Sequence, residues 1–339
     1  FYSPIEHNQV SKIKKISYRV LDNYNLLNYR KIRDEIKKIN PDIINVNNIY
    51  GFSSIIYRII SELNIKSVVT LRDYYLMCPK VHMLKKGISC EKPNIVCKSY
   101  RKMNKECLKN VDYITAPSKY VIQKFINPNF FNESKCRVIY NAIDIDKVEM
   151  LDIVKEKLTR KRNEINFLYL GGLEEHKGIR LLLKAFNKIE NKKIKLYIAG
   201  KGTLCNVVQE YAENDNRINY LGFLDEKGMH EILKKCDVLI APSLWDEPFG
   251  RIVIEAYKYG LPVITSNKGG LNEIVDDYKT GIKISETNKD NLIKAIDYFI
   301  NNNFNDFIKN TYKKMDTFKI ENQITEFHNM YKDILNGKL

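Results

Sequence analysis

Short apolar runs alternate with stretches of helical periodicity along most of the chain. Runs typical of buried strands occupy positions 43–46, 67–71, 113–116, 137–140, 166–170, 195–199, 218–222, 238–241 and 261–265. Apolar residues spaced three or four apart predict helices, among them 29–39, 54–63, 179–189, 251–259 and 321–335. This alternation predicts an α/β protein built on parallel, doubly wound sheets.

The length of the chain predicts more than one domain. With 339 residues it exceeds the usual single-domain size of roughly 100 to 200 residues. A hydrophobic fraction of 44% is enough for a sizeable core. A complete domain of this class opens with a strand and a glycine-rich turn, and none is visible before Pro41. We therefore expect the N-terminal domain, residues 1–150, to lack its first strands.

The chain carries a formal net charge of +15, from 56 Lys and Arg against 41 Asp and Glu. An excess of this size favours an anionic partner, such as a membrane surface or a phosphorylated substrate. Nucleic acid is not expected, because no recognised binding motif accompanies the charge. Lysine, isoleucine and asparagine are abundant throughout, so compositional drift is an equally open explanation.

The expected location is the cytoplasm, with peripheral contact at the inner face of an anionic membrane. No apolar run approaches the roughly 20 residues of a membrane span, and no signal peptide is visible. The seven cysteines form no C-x-x-C pair, which indicates reduced thiols. Four of them, from Cys78 to Cys107, could hold zinc, but their wide, irregular spacing favours incidental thiols, and no metal site is predicted.

Two carboxylates bracket a predicted helix start near position 250. Glu247 precedes the helix in a loop, and Glu255 lies roughly 7 Å along its axis. The first-turn amides around Phe249 and Gly250 lack helical partners and favour an anion. A carboxylate beside a diphosphate is repelled, so both acids are expected to bind hydroxyls on either side of it, as in a nucleotide sugar. One loop acid and one helix-surface acid is the alternative.

The segment around these acids resembles a known family. Glu247, seven residues and Glu255, with Pro-Phe-Gly after the first acid and Ala after the second, resembles the E-x7-E motif of retaining GT-B glycosyltransferases of family 4. Positions 260–264 and 269–275 continue that pattern. The resemblance implies two Rossmann-like domains facing a cleft, with the nucleotide sugar bound by the second, 151–319. A final helix, 320–339, is expected to cross back onto the acceptor-side N-terminal domain.

The resemblance also assigns roles to single residues. It implies that Glu255 binds ribose hydroxyls, that Glu247 binds sugar hydroxyls, and that Phe249 and Gly250 contact the donor through their backbone. In this family a lysine and helix amides stabilise the departing diphosphate, so no divalent metal and no other cofactor are expected. The D-x-D letters at 144–146 match a metal motif only by chance of a turn.

A glycine-rich segment after strand 166–170 supplies the lysine. Gly171-Gly172-Leu173, followed by Lys177-Gly178, resembles the family's G-R-L and K-G elements, so Lys177 matches the residue that pairs with the diphosphate. Gly172 replaces the usual arginine, and one expected cation is therefore missing. The candidates to replace it are Arg72, Lys201 and Arg251. Further donor contacts are expected from the backbone at Gly200, Gly269 and Gly270, although simple turns also explain these glycines.

Arg72 follows strand 67–71, at the sheet edge where ligands bind. Segment 70–79 resembles the family's T-x-H-D-Y, with Arg72 in place of a histidine that faces the transferred sugar or the acceptor. Its guanidinium fork suits a carboxylate or a phosphate. A surface arginine paired with Asp73 or another neighbour is the alternative. Positions 80–102 are predicted to form a loop or lid, and the basic stretch 147–162 an interdomain linker.

The resemblance implies transfer of a sugar from a nucleotide diphosphate sugar to an acceptor hydroxyl, with retention at the anomeric carbon. The expected partners are the donor and a glycan or lipid-linked acceptor, in surface polysaccharide or glycolipid synthesis. Two alternatives remain: a nucleotide-sugar epimerase on the same fold, and a non-catalytic nucleotide- or sugar-binding module. Gly172, Arg72 and the incomplete N-terminus favour the second alternative.

Overall fold

The computed structural model describes residues 25–47, 49, 52–85, 88–90 and 92–337. They divide into two compact units. The first holds 25–84, 90–139 and 324–337, and the second holds 85–89 and 140–323. The division therefore falls after Ile139, before the predicted boundary at residue 150. The prediction of missing first strands concerns a region of which 1–24 lie outside the described residues.

The first unit is built on a four-stranded parallel sheet in the order β1-β2-β3-β4. Its elements in chain order are α1 (Tyr29–Ile39), β1 (Ile43–Val46), α2 (Ile55–Glu62), β2 (Lys66–Thr70), α3 (Ile95–Cys107), β3 (Tyr113–Ala116), α4 (Lys119–Ile126) and β4 (Cys136–Val138). Two short strands, Leu84–Lys85 and Ile88–Ser89, pair with each other where the chain leaves this unit, since 85–89 are assigned to the second. The helix predicted at 29–39 and the strand predicted at 43–46 are confirmed.

The second unit is built on a six-stranded parallel sheet in the order β10-β9-β8-β5-β6-β7. Its strands are β5 (Ile165–Leu170), β6 (Ile194–Ala199), β7 (Ile218–Tyr220), β8 (Val238–Ala241), β9 (Val263–Ser266) and β10 (Gly281–Ile284). Its helices are α5 (Lys147–Thr159), α6 (Ile179–Phe186), α7 (Cys205–Asn214), α8 (Glu226–Lys235), α9 (Arg251–Lys258), α10 (Leu271–Ile274), α11 (Lys289–Asn301) and α12 (Asn305–Lys314). The last helix, α13 (Ile320–Leu335), begins in this unit. Short 3-10 turns occupy Leu26–Asn28, Glu133–Lys135, Glu175–Lys177 and Met315–Phe318.

Both faces of the six-stranded sheet are covered. Successive residues of β5 point to opposite faces, so Phe167 joins one apolar cluster and Leu168 the other. On the Leu168 face, α9 contributes Val253 and Tyr257, which are fully buried. This two-sided burial explains why the strands of the unit appear in the sequence as continuous apolar runs.

The strand order of this sheet reverses between β5 and β8. From β5 the chain proceeds outward through β6 and β7, and from β8 it proceeds the other way through β9 and β10. Ligands of open parallel sheets bind at the carboxyl ends of the strands beside such a reversal. The loops at 171–178 and 242–250, which follow β5 and β8, are therefore where the topology places a binding site.

The end of the chain helps to complete the core of the first unit. Met330 and Ile334 of α13 pack with Val68 and Ile139. The described part of the chain contains no helix that is both long and apolar enough to cross a bilayer.

The loop predicted at 80–102 is partly wrong, because α3 begins at Ile95. Asn94 caps this helix through its side-chain oxygen, which accepts from the Cys97 amide at 2.8 Å. The attached face of α3 is mostly polar, with Asn104 as its one fully buried residue. Apolar periodicity therefore gave no signal for the helix.

The linker predicted at 147–162 is also wrong over most of its length. Asp146 accepts from the Val148 and Glu149 amides, and α5 follows from that cap. Its buried positions include Met150 and Ile153, but the stripe ends in the buried Lys157. Because charged residues surround these buried positions, the sequence shows no clear apolar periodicity over α5.

Candidate functional site

Lys177 and Glu247 meet where the topology places a site. Lys177 Nζ lies 2.6 Å from Glu247 Oε1, and their side chains are only 28% and 13% exposed. Ser243 Oγ donates to the same carboxylate oxygen at 2.7 Å. The sequence predicted the two charged residues but not their pairing, and it missed Ser243, whose only signal is its place two residues after the end of β8.

Gly178 explains how the two loops come so close. Its φ of +77° lies in the left-handed region, and a Cβ at this position would stand 2.0 Å from the carbonyl oxygen of Pro242. Only glycine allows Lys177, one residue earlier, to approach the loop after β8. The K-G pair in the sequence thus has a steric reason.

An aromatic residue supports the lysine. Lys177 Nζ stands 5.1 Å from the ring centroid of Trp245, within the range of a cation–π interaction. The His176 ring packs edge-on against the same indole at 5.5 Å. The Leu244 amide donates to the carbonyl of His176 at 2.8 Å, which fastens the two loops together. These contacts fix the position of the ammonium group.

Helix α9 begins beside this pair. Gly250 occupies the N-cap position with a φ of +102°, and no side chain caps the helix. Phe249 is 2% exposed and packs against the rings of Tyr140 and Phe318. First-turn amides without a side-chain cap, at the positive end of a helix dipole, form a favourable position for an anion.

Glu255 is the fifth residue of α9, as predicted, but it already has a partner. Its Oε1 lies 3.0 Å from Nε of Arg251, four residues earlier. Burial raises the pKa of Glu255, and Arg251 partly offsets the rise. Because Arg251 is engaged in this ion pair, it is a weaker candidate for the missing diphosphate cation.

The glycines after β9 have a packing role. Gly269 has a φ of +58°, and a Cβ there would lie 2.3 Å from the carbonyl oxygen of Glu247. The Gly270 amide donates to that same oxygen at 2.7 Å. The expectation that Gly270 offers a free amide to the phosphates is therefore wrong, because the amide holds the Glu247 backbone in place.

The remaining predicted glycines bring the loops after β5 and β6 together. A Cβ on Gly200 would lie 1.8 Å from the carbonyl oxygen of Gly171, so the two backbones nearly touch. The nearest atom to a Cβ on Gly172 is 3.9 Å away, in the side chain of Glu174. Packing therefore does not require glycine at position 172, where the family pattern has arginine.

The other two cation candidates are also engaged. Lys201 Nζ stands 4.4 Å from the ring centroid of Phe223. Arg72 lies in the first unit and donates to Oδ1 of Asn47 from Nη2 at 2.9 Å. The partner of Arg72 in this contact is thus a neighbouring asparagine.

Lys268 is a cation that sequence reasoning missed. It directly precedes Gly269, and its Nζ donates to the carbonyl of Leu244 at 2.9 Å. The amide of Leu244 donates to His176, which precedes Lys177. Since β8 lies between β5 and β9, Lys177 reaches segment 243–247 from the loop after β5, and Lys268 reaches it from the loop after β9. A lysine directly before a Gly-Gly pair at a strand end was the available signal.

An open groove in the first unit contains none of these residues. It encloses about 690 Å³ between α2 and α3 of the first unit, with Arg58 and Lys102 in its lining. In the described part of the chain, no three His, Cys, Asp or Glu side chains gather as metal ligands would. The candidate site of the second unit is formed by segments 171–178, 242–251 and 266–270, which these contacts bring together.

Two family models match the sequence. The model for Glycosyltransferase Family 4 matches residues 5–147, and the model for Glycosyl transferases group 1 matches residues 152–316. Together they cover both units.

Curated relatives include proteins of bacteria and archaea. An uncharacterized 42.6 kDa protein in the cps region of Klebsiella pneumoniae is 27% identical over 77% of this chain and 67% of its own length. An uncharacterized glycosyltransferase of Methanocaldococcus jannaschii is 31% identical over 59% of this chain and 54% of its own length. The alpha-monoglucosyldiacylglycerol synthase of Streptococcus pneumoniae is 25% identical over 74% of this chain and 57% of its own length. The chain thus spans little more than half the length of the last two relatives.

Solved structures show the same fold at low identity. The sucrose-phosphate synthase of Thermosynechococcus elongatus matches with a TM-score of 0.74 and 18% identity, over 99% of this chain and 82% of its own. Anabaena HepE, solved in complex with UDP and glucose, matches with a TM-score of 0.70 and 17% identity, over 91% of this chain and 83% of its own.

Proposed function

The chain belongs to the group 1, family 4 glycosyltransferases of the GT-B fold, and we propose that it transfers a sugar from a nucleotide diphosphate donor to an acceptor hydroxyl with retention. The observation that carries this proposal is the Lys177–Glu247 pair at the reversal of the sheet, beside the start of α9. Family membership argues against the epimerase alternative.

The pair explains how a diphosphate and a sugar are bound together. The diphosphate lies at the start of α9, and its oxygens attract Lys177 away from Glu247. Glu247, which Ser243 continues to hold, then accepts hydrogen bonds from sugar hydroxyls. When the bond from the anomeric carbon to the diphosphate breaks, negative charge grows on the leaving oxygen, and Lys177 together with the α9 amides stabilises it.

Two further residues complete this donor site. Glu255 binds the ribose hydroxyls, and Arg251 keeps its carboxylate oriented at 3.0 Å. Lys268 supplies the second positive charge that Gly172 cannot provide. With two lysines and helix amides at the diphosphate, the reaction proceeds without a divalent metal.

The acceptor is a growing glycan or a lipid-linked saccharide at the cytoplasmic face of an anionic membrane. The net charge of +15 favours such a surface. One relative comes from a cps region, and another is named for making a glucosyl lipid. Arg72 is proposed to contact the transferred sugar or the acceptor.

Donor binding tests the proposal directly. Calorimetry with UDP-, GDP- and ADP-sugars should show binding to one base, and UDP-sugars come first because HepE was solved with UDP. Glu255→Ala should weaken that binding by about 1–3 kcal/mol, as expected for a lost charged hydrogen bond. Glu210→Ala, on the exposed side of α7, is the matched control.

The same experiment separates the two remaining functions. Release of the nucleoside diphosphate in the presence of a glycan or lipid acceptor supports the transferase. Binding without any release, over a panel of acceptors, would instead establish a non-catalytic binding module. Binding to none of the donors would contradict both.

A further inference from the structure

Helix α3 of the first unit has two chemically different faces. On one face Tyr100, Arg101 and Asn104 donate to the carbonyls of 75–77 at 2.7–2.9 Å. These three bonds fasten the helix to the unit through polar contacts. They also fix which side of α3 faces outward.

The outward face carries a row of lysines. Lys98, Lys102 and Lys105 are exposed and follow one another at helical spacing, and Lys109 continues the row just past the end of the helix. None of these four forms an ion pair with a carboxylate in the described residues. Segment 92–110 holds six Lys or Arg and a single acid, Glu106. Repulsion along this row destabilises the helix unless an anionic partner is present.

Aliphatic side chains extend the row at its start. Ile95 is 80% exposed and Val96 is 68% exposed. Ile95 lies three residues before Lys98, so it belongs to the same face. Two exposed aliphatic residues beside a lysine row are typical of helices that lie in the interface of an anionic bilayer.

We propose that this face docks on a lipid bilayer with anionic headgroups; the inference rests on the proposed function, because it specifies where the enzyme meets its membrane. The α3 face is defined as Ile95, Lys98, Lys102, Lys105 and Lys109, and the exposed Val96 lies beside it in the first turn of the helix. Lysine is a point charge that suits the spread negative charge of a bilayer, whereas paired recognition of single phosphates favours arginine. Nucleic acid would favour stacking aromatics, and the α3 face has none.

Vesicle co-sedimentation tests the proposal. The full chain should bind vesicles that contain phosphatidylglycerol and should not bind pure phosphatidylcholine. Each lysine near the surface contributes about fivefold in binding, so the triple change Lys98→Gln, Lys102→Gln and Lys105→Gln should weaken binding by roughly a hundredfold. The matched control is a triple change on α6 and the turn after it: Lys184→Gln, Lys188→Gln and Lys192→Gln. If this control weakens vesicle binding equally, the net charge of the whole protein causes the binding, and the proposal is overturned.

A second variant tests the aliphatic contribution. Ile95→Ser together with Val96→Ser keeps the charge of the α3 face but should weaken binding at every salt concentration, whereas the lysine triple loses its effect as salt rises. Unchanged binding by both variants would refute the α3 face. The proposal would also be refuted if these variants lost binding to a polyanion such as RNA but kept their binding to vesicles.

The outcome can be told apart from failure of the proposed function. The α3 variants should keep the donor affinity of the unchanged protein, because their substitutions lie outside the donor site. A protein that binds vesicles through the α3 face but no nucleotide sugar would contradict the transferase and leave the docking surface standing. A protein that binds the donor but no anionic vesicle would contradict the docking surface and leave the transferase standing.

Discussion

Replacing Lys177 by methionine separates the two interactions of this lysine. In the structure Lys177 Nζ lies 2.6 Å from Glu247 Oε1 and neutralises this carboxylate, and in the donor complex we expect it to neutralise the diphosphate instead. Methionine keeps most of the side-chain volume and the contact with Trp245 but removes the charge. The substitution should therefore lower both stability and activity, by amounts that differ in size and in origin.

The structure sets the two magnitudes. A buried polar group that loses its partner costs about 1–3 kcal/mol, and we expect the lower half of this range because Lys177 is 28% exposed and Ser243 still donates to Glu247. Loss of a group that stabilises developing negative charge lowers kcat by about 10²–10³. Thermal unfolding measures the first effect, and release of nucleoside diphosphate under saturating donor measures the second.

The double variant Lys177→Met, Glu247→Gln provides the decisive comparison. Without either charge, the buried site no longer holds an unpaired carboxylate. The unfolding temperature should therefore return toward that of the unchanged protein. The kcat should stay low, because the positive charge of Lys177 is still missing from the leaving group. If Lys177→Met keeps an unchanged kcat, or if the double variant regains activity along with stability, Lys177 has only a structural role and the reasoning is refuted.

Three shorter predictions concern other residues. Lys268→Gln should weaken the binding of a nucleoside diphosphate about tenfold without affecting the free nucleoside, as a lost charged contact implies, and Lys279→Gln is the calorimetric control. Gly178→Ala should lower the unfolding temperature, because its Cβ would meet the Pro242 carbonyl at 2.0 Å. Burial lowers the pKa of Lys157 from 10.5 to about 8, so the unfolded chain binds more protons between these values. The unchanged protein should therefore gain stability relative to Lys157→Met as pH rises through that window, in denaturant titrations.

The sequence was informative wherever burial is apolar and two-sided. The strands of the second unit and the half-buried helices are visible as runs and stripes, which is why the α/β fold was predictable. Helix α3 was not, because its attachment rests on side chains such as Tyr100 and Asn104 that donate to backbone carbonyls. Helix α5 was missed because the buried Lys157 interrupts its apolar stripe; its ammonium group donates to carbonyls at the end of α8.

In the candidate site, too, some features could be predicted from the sequence and others could not. The types of Lys177 and Glu247 pointed to their chemistry, but their pairing depends on the strand order, which places the loops after β5 and β8 side by side. Ser243 and Lys268 act through single contacts to that loop, and a pattern of residue types contains no such information. The Gly270 amide was misassigned because a free helix-start amide and one bound to Glu247 look identical in sequence.

The missing arginine offers a gain-of-function test of the donor site. A side chain at Gly172 would meet nothing nearer than 3.9 Å at its Cβ, and its φ is not in the left-handed region, so arginine can enter without strain. Gly172→Arg should tighten binding of the nucleoside diphosphate about tenfold, as a charged contact implies, with little change for the nucleoside.

The same change decides what Lys268 does. If Lys268 supplies the positive charge that the family takes from the arginine, Gly172→Arg should restore diphosphate affinity to Lys268→Gln. Calorimetry on the single and double variants, with Gly172→Gln as the uncharged control, measures the rescue. A double variant that folds normally yet binds the diphosphate no better than Lys268→Gln would mean that Lys268 only fastens its loop to Leu244. A single lysine and the α9 amides would then have to hold the leaving group by themselves.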